Sequence, residues 1–150
     1  MFSETVINKL LTDKFMWTCP KCKRVFQRAG QQHSCATKPL SEHFKNKPEA
    51  FNLFRTLLKI IENKVGKFKV ISIPCCIHLF GKYDFLVILP KKDGVIEIRL
   101  ALDHAIKDEC IVNCIPLSST CYKNCLNIKS YADIDSKLIG WLKESYNLRQ

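Results

Sequence analysis

The spacing of hydrophobic residues after residue 45 first predicts a helix. Between Pro48 and Val65, apolar side chains recur at three- and four-residue steps, which places them on one face of an amphipathic helix. These positions are Phe51, Phe54, Leu58, Ile61 and Val65. Pro48 is tolerated at a first helical position, and Gly66 is a typical stop. The pattern therefore predicts a helix from Pro48 to Val65.

Shorter apolar stretches separated by turn residues follow, and they predict β-strands. Four strands are expected at 68–73, 76–80, 84–89 and 95–102, and residues 110–115 and 122–128 could add one or two more. Gly81 separates the second stretch from the third, and Asp93-Gly94 joins the third to the fourth as a hairpin turn. Polar and apolar residues alternate in the fourth stretch, which indicates a sheet with one buried and one solvated face.

The end of the chain predicts a second helix, which completes the fold. Ser130 and Asp133 have the spacing of a capping box. One helical face then carries Ile134, Leu138, Trp141, Leu142 and Tyr146. The sequence predicts an α+β protein with two domains. A small zinc-finger-like module occupies residues 1–44, and residues 45–150 form an α+β domain in which an antiparallel sheet is flanked by an N-terminal and a C-terminal helix.

Composition supports a folded protein and excludes several classes. Of the 150 residues, 47% are hydrophobic and 25% are charged, so wholesale disorder and fibrous classes are excluded. The longest apolar stretch, 85–89, has five residues, far fewer than the roughly 20 needed to cross a bilayer. The amphipathic start, MFSETVINKL, contains Glu4 and does not resemble a secretory signal. We therefore expect an intracellular protein, cytoplasmic or nuclear, with its oligomeric state left open.

The positive charge is concentrated in the first part of the chain. The net charge is +10, and residues 1–67 hold 13 Lys and Arg against 5 Asp and Glu. Between residues 14 and 38 there is no acid, and the basic residues are Lys14, Lys21, Lys23, Arg24, Arg28 and Lys38. Such a surface favours polyanions, nucleic acid first and an anionic membrane second. The plainer interpretation is a solvated face that keeps the protein soluble.

Cysteine spacing near the N-terminus predicts a zinc site. Cys19-Pro-Lys-Cys22 has the spacing of a knuckle, whose tight turn directs two sulfurs at one ion. Trp17, two residues before the first cysteine, and Phe26, four after the second, match the hairpin of Cys₂His₂-type fingers. Cys35, with twelve residues between it and Cys22, takes the place of the first helical ligand.

The fourth ligand could be either of two histidines. His33 and Cys35 can share an ion only where the backbone is extended, because residues i and i+2 diverge on a helix. His43 lies past Pro39 and could return as a more remote ligand. We favour Cys19, Cys22, Cys35 and His43 as ligands of Zn²⁺, with His33 as a neighbour or substitute. Four protein ligands leave no open position, which indicates a structural metal rather than a catalytic one.

The remaining cysteines and acids suggest weaker alternatives. A further metal site could form from Cys110, Cys114, Cys121 and Cys125, or from Cys75, Cys76 and His78, although buried thiols on apolar strands explain these residues more simply. Asp84 and the Glu97-Ile98-Arg99 triplet have a layout similar to that of metal-dependent nucleases. Arg99 stands in the place of a basic catalyst and holds its proton too tightly to act as a general base. We therefore expect no enzymatic activity, and a degenerate nuclease is the least favoured alternative.

These motifs together resemble the domain-of-unknown-function family 5655. The resemblance lies in Trp17-x-Cys-Pro-x-Cys22, Phe26-x-Arg28, Gln31-x-His33-Ser34-Cys35, His43-Phe44-Lys-Asn-Lys47-Pro48, the helix 51–65, Phe85 and the ending from Asp133 to Tyr146. Members of the family often carry Lys or Ser-Lys near Pro74 and His near Asn124, where this chain has Cys75-Cys76 and Tyr122-Lys-Asn124. The resemblance implies zinc binding and a two-part layout, and it supplies no known reaction.

The basic finger surface and the zinc motif lead to two classes of partner. The first expectation is an adaptor whose finger surface binds nucleic acid, as RNA or non-specific DNA, because a single finger contacts few bases. The residues expected to contact phosphate are Lys21, Lys23, Arg24 and Arg28. The alternative is a protein partner, and no membrane partner is expected.

Overall fold

The computed structural model describes residues 17–26 and 28–148, and these form two compact units that divide between Ala36 and Thr37. The amphipathic start and Lys14 lie outside the described residues. The division falls before the boundary predicted at residue 44 because Phe44 already belongs to the core of the second unit, where it is 7% exposed.

The first unit contains a short β-hairpin. Strands β1 (Trp17–Thr18) and β2 (Val25–Phe26) are antiparallel, with Trp17 opposite Phe26. Between them the Cys19 N–H donates to the Arg24 carbonyl over 2.9 Å, and the Lys23 N–H donates to the Cys19 carbonyl over 2.8 Å. Lys23 adopts a left-handed conformation with φ of 65°, which the tight turn requires.

The second unit contains the predicted helices and a sheet. Its helices are α1 (Leu40–His43), α2 (Pro48–Lys64) and α3 (Ser136–Leu148), with a 3₁₀ turn at Tyr131–Asp133. Its strands are β3 (Lys69–Ser72), β4 (Ile77–Phe80), β5 (Asp84–Pro90), β6 (Ile96–Leu102), β7 (Ile111–Ser118) and β8 (Cys121–Ile128). The predicted α+β class is confirmed: α2 precedes the antiparallel sheet along the chain and α3 follows it.

The C-terminal helix begins later than the capping box suggests. The Ser130–Asp133 box exists, but it closes the 3₁₀ turn. The long helix α3 starts at Ser136, and the Asp135 carboxylate accepts the Leu138 N–H over 2.9 Å. A second acidic residue therefore caps the helix, three residues before its first buried leucine.

The six strands form one antiparallel sheet in the order β3-β4-β5-β6-β8-β7. Strands β3 to β6 follow as hairpins, and β8 pairs with β6, so β7 lies at the edge. In β6 the alternation expected from the sequence is present, with Ile96, Ile98 and Leu100 buried and Glu97 and Arg99 half-buried. The sheet therefore has one face that forms the core and one that carries polar side chains.

The core lies between the helices and this buried face. The buried side chains of α2 are Ala50, Leu53, Phe54, Leu57 and Ile61, and those of α3 include Leu138 and Leu142. The face predicted from the sequence is rotated relative to this one, since Phe51 is 37% exposed. In the part of the chain that the structure describes, no helix has the length and apolar composition of a membrane span.

Candidate metal centre

The first unit brings three cysteines and one histidine together. The ligand atoms of Cys19, Cys22, His33 and Cys35 all lie within 4.8 Å of one another. The knuckle turn after β1 positions the first two cysteines, and the last two ligands come from residues 31–36, which lie outside any helix or strand. The His33 ring packs against the hairpin, 4.3 Å from the Phe26 ring centroid and 5.9 Å from that of Trp17.

The distances suit a single tetrahedral ion. Cys19 Sγ lies 3.6 Å from Cys35 Sγ, and His33 Nε2 lies 3.3 Å from both Cys22 Sγ and Cys35 Sγ. A tetrahedron with metal–sulfur bonds of about 2.3 Å and a metal–nitrogen bond of about 2.0 Å has edges of roughly 3.5 to 3.8 Å. Only small side-chain adjustments separate the observed cluster from such a site.

Hydrogen bonds orient the His33 ring and lower the pKa of Cys19. The His33 Nδ1–H donates to the Gln31 carbonyl over 2.7 Å, which leaves the Nε2 lone pair directed at the cysteines. A hydrogen bond from the Cys22 backbone, with a further one from Lys21, lowers the pKa of Cys19 to about 6 against the opposing effect of burial. Three sulfurs and one imidazole nitrogen can thus hold one metal ion.

His43, the ligand favoured from the sequence, lies elsewhere. It belongs to α1 in the second unit and is 7% exposed, and its Nε2–H donates to the Ile73 carbonyl over 2.9 Å. The structure therefore places His33, and not His43, beside the cysteines. His33 and Cys35 were expected to share an ion only if the backbone between them is not helical. The backbone there is not helical, so the two side chains can converge.

The basic residues of the first unit fall into two groups. Lys21, Lys23 and Arg28 are exposed. Arg24 is only 7% exposed, its Nη2 donates to the Ser34 carbonyl over 2.5 Å, and its guanidinium lies 5.3 Å from the Phe26 ring centroid. The expectation that Arg24 is an exposed phosphate contact is therefore wrong, because its side chain links the hairpin to the segment that carries His33 and Cys35.

The second unit identifies the family of the chain. The model of a domain of unknown function (DUF5655) matches residues 40–149, nearly all of that unit. The chain belongs to the DUF5655 family. The predicted family is thereby confirmed, while the match begins after the Cys₃His cluster and says nothing of it. Neither the curated proteins nor the solved structures gave a match to this chain.

The DUF5655 domain contains a second group of metal-type ligands. Cys75, Cys76 and His78 also bring their ligand atoms within 4.8 Å of one another. Burial, followed by the hydrogen bond and charge of Cys75, raises the pKa of the Cys76 thiol to about 12. The raised pKa favours the protonated thiol as long as no metal ion withdraws its proton.

The other predicted alternatives do not assemble. In the described part of the chain, Cys110, Cys114, Cys121 and Cys125 belong to no group of metal-type ligands. Glu97 lies opposite Leu89, five residues along β5 from Asp84 or roughly 16 Å at about 3.3 Å per residue. Glu97 is also paired with Arg99 over 2.8 Å. The two carboxylates therefore cannot share a divalent ion, and the nuclease layout is not formed.

One side-chain hydrogen bond of the DUF5655 domain, between His78 and Asp84, was not predictable from the sequence patterns. The His78 Nδ1–H donates to the Asp84 carboxylate over 2.5 Å, which joins β4 to the start of β5. The sequence feature that could have indicated this contact is the short turn at Gly81. It pairs β4 with β5 so that Phe80 lies opposite Asp84. The irregularity of the pairing at Leu79 and Phe80 decides which side chains meet, and periodicity does not reveal it.

Proposed function

We propose that this protein is a non-catalytic zinc-binding protein whose N-terminal module contacts nucleic acid. The observation that carries the proposal is the Cys₃His cluster with three exposed basic side chains on the same small unit. Three thiols and an imidazole form a soft donor set that suits Zn²⁺, and the tetrahedral spacing matches its preferred geometry.

A structural role for the ion follows from the size of the module. The described part of the first unit has two-residue strands and a single buried hydrophobic residue, Cys19. Such a segment cannot offset its own conformational entropy by burying apolar surface. Zinc contributes roughly 10–16 kcal/mol of apparent binding free energy in finger peptides, which is enough to hold this module folded.

The nucleic-acid contact would come from phosphate recognition. Lys21 and Lys23 lie in the knuckle turn, Arg28 follows β2, and all three side chains are exposed. Their contacts with phosphate oxygens would provide affinity with little sequence discrimination. RNA or non-specific DNA is therefore the favoured ligand, and intracellular location is part of the same proposal.

The test combines metal analysis with a salt series. The protein purified without chelator is expected to carry zinc at the Cys₃His cluster and to bind a short single-stranded RNA more weakly as salt rises. A triple variant, Lys21→Gln, Lys23→Gln and Arg28→Gln, should lower the slope of log K against log salt by about 2 for single strands, at about 0.7 per phosphate contact.

A matched triple variant controls for net charge. Lys91→Gln, Lys92→Gln and Lys107→Gln remove the same three charges from exposed sites on the DUF5655 domain. The proposal predicts an unchanged slope for this control. Equal loss of binding in both variants, or no RNA or DNA binding by the wild type, would refute the nucleic-acid part and leave zinc content as a separate result.

A protein partner is a second candidate, supported by the edge of the sheet. Strand β7 lies at that edge, and Val112 and Leu117 are 57% and 56% exposed there, with Ile115 at 38%. Edge strands leave backbone hydrogen-bonding groups unpaired, which allows another strand to add to the sheet. Val112→Lys should abolish the addition of a partner's strand to β7 and leave RNA binding intact. Pull-down with a defined partner measures the first effect, and mobility shift measures the second.

A further inference from the structure

A tight hairpin on the DUF5655 domain concentrates three soft ligand groups. Ile73 and Cys76 exchange backbone hydrogen bonds of 3.1 and 3.2 Å, so Pro74 and Cys75 form the two-residue turn between β3 and β4. Cys76 and His78 are two residues apart on the second arm and therefore point to the same face of the sheet. The turn brings Cys75 to that same point.

The three ligand atoms are close enough for one ion. Cys76 Sγ lies 3.1 Å from His78 Nε2 and 2.8 Å from Cys75 Sγ. Both separations are shorter than the roughly 3.5 to 3.8 Å edges of a tetrahedral site. Cys75 is exposed at the turn, so rotation of its side chain can widen the sulfur–sulfur distance without disturbing the core.

Asp84 gives His78 the orientation of a metal ligand. The His78 Nδ1–H donates to Asp84 Oδ2, so the Nε2 lone pair faces Cys76. Histidines that ligate metals generally donate their other ring N–H to a carboxylate, a carbonyl or water. The second ring nitrogen of His78 is thus held 3.1 Å from the Cys76 thiol, with Cys75 Sγ also within 4.8 Å of it.

We propose that Cys75, Cys76 and His78 form a second metal site for a thiophilic ion, Zn²⁺ or Cu⁺, with Asp84 as the residue that positions His78. Binding releases the two thiol protons to solvent and forms two metal–sulfur bonds and one metal–nitrogen bond, with no redox step. Among the described residues no fourth ligand joins the group, so with Zn²⁺ one position falls to water or an exogenous ligand.

This site is independent of the Cys₃His cluster, and metal counting separates the two. The reduced full-length protein is reconstituted with Zn²⁺ under anaerobic conditions, freed of excess metal and analysed for metal per chain. We expect two ions in the wild type, one in Cys75→Ser/Cys76→Ser and one in Cys22→Ser/Cys35→Ser. The control Cys110→Ser/Cys114→Ser, which alters two half-buried cysteines outside any ligand group, should keep two.

The single variants test the role of each group. Asp84→Asn should retain the site but weaken it about 10- to 100-fold in competition with a chelator, as expected for loss of a carboxylate behind a ligating histidine. His78→Gln should weaken it further. An affinity for the second ion that is unchanged in Asp84→Asn would overturn the positioning role of Asp84.

Cobalt provides a readout if a double variant does not fold. In the Cys22→Ser/Cys35→Ser background, Co²⁺ bound at the hairpin should produce thiolate-to-cobalt absorption, and His78→Gln should shift or remove it. Parallel titration with Cu⁺ and Zn²⁺ against chelators of known affinity decides which ion the site prefers.

Two results would overturn the second site and leave the zinc module intact. One is a single ion in the wild type and none in Cys22→Ser/Cys35→Ser. The other is an equal number of zinc ions per chain in the wild type and in Cys75→Ser/Cys76→Ser.

Discussion

Arg24 illustrates how a basic residue in a finger module can stabilise the fold instead of binding a ligand. Its guanidinium is 5.3 Å from the Phe26 ring centroid and donates to the Ser34 carbonyl, one residue from both His33 and Cys35. The neighbouring Lys21 and Lys23 are exposed. Side chains of the same charge are therefore exposed at two positions and buried at a third within four residues.

Replacement of Arg24 should weaken metal retention rather than the electrostatics of nucleic-acid binding. Arg24→Met removes a charge-assisted hydrogen bond of about 1.5–3 kcal/mol from a buried position. We expect about a 10- to 100-fold loss in zinc affinity by chelator competition. Lys21→Met is the control and should leave zinc affinity unchanged. Equal losses in both variants would contradict the structural role of Arg24.

His43 should make the stability of the DUF5655 domain dependent on pH. Burial first, and the charges of Lys38 and Lys47 next, lower its pKa, while the Ile73 carbonyl opposes the shift. The unfolded chain therefore takes up a proton that the folded chain does not. The free energy of unfolding should be highest above pH 6.5 and fall as the pH drops below it.

Urea unfolding of wild type and His43→Gln between pH 5 and 8 checks this expectation, since the variant should lose part of the decline. His104 should change the pH dependence of the free energy of unfolding in the opposite direction, because its pKa is raised. The carboxylate of Asp103 first, and Glu144 as well, raises the pKa of His104, so its contribution is present below pH 6.5 and is lost as pH rises. A steeper decline in His43→Gln than in wild type would contradict the prediction.

The junction between α2 and α3 depends on a glycine. Gly66 follows α2, and its N–H donates to the Ile61 carbonyl over 3.0 Å. A Cβ added there would lie 2.6 Å from the ring of Tyr146, whose hydroxyl donates to the Lys67 carbonyl over 2.9 Å. The end of α2 thus meets the Tyr146 side chain of α3 so closely that a residue with a Cβ fits only if that side chain moves.

Two glycine substitutions should therefore have opposite effects. Gly66→Ala forces the Tyr146 ring to move and should destabilise the domain by about 1–3 kcal/mol. Gly140→Ala lies within α3, where the added Cβ meets nothing within 4 Å, and should stabilise it by about 0.5–1 kcal/mol. Thermal unfolding measures both. An unchanged midpoint in Gly66→Ala would show that the helices separate at little cost.

The two compact units should respond separately to loss of metal. The hydrophobic core described for the DUF5655 domain consists of its own helices and sheet, whereas the described part of the first unit has one buried hydrophobic residue, Cys19, and the Cys₃His cluster. We therefore expect the stability of the DUF5655 domain to depend on buried apolar surface and that of the first unit to depend on the proposed metal–ligand bonds.

Removal of metal should unfold only the first unit. In amide NMR spectra, addition of a chelator should move the resonances of residues 17–35 to random-coil positions. The resonances of the six-stranded sheet should stay dispersed, apart from those near Cys75 and His78. Addition of Zn²⁺ should restore the original spectrum. Cooperative loss of the sheet signals on chelation would show instead that the metal stabilises the whole chain.

Periodic features were predictable, and long-range pairings were not. The helix from Pro48, the antiparallel strands and the four-ligand composition follow from spacing, because the helical and strand repeats are local geometric properties. The pairing of β8 with β6, the exposure of Phe51 and the bond between His78 and Asp84 depend on residues far apart in sequence or on a pairing irregularity. Local patterns contain no information on such contacts.

The amino-acid sequence was sufficient to indicate the α+β class and three candidate cysteine ligands near the N-terminus, since these rest on short-range spacing, and the resemblance of its motifs indicated the family. The tertiary structure placed His33, and not His43, beside the cysteines, assigned Arg24 to the interior and assembled the Cys75–Cys76–His78 group beside Asp84. Each of these outcomes depends on which polar group finds a partner when it is buried. That choice is fixed by the hydrogen bonds available in the folded chain, such as the Ile73 carbonyl that binds His43.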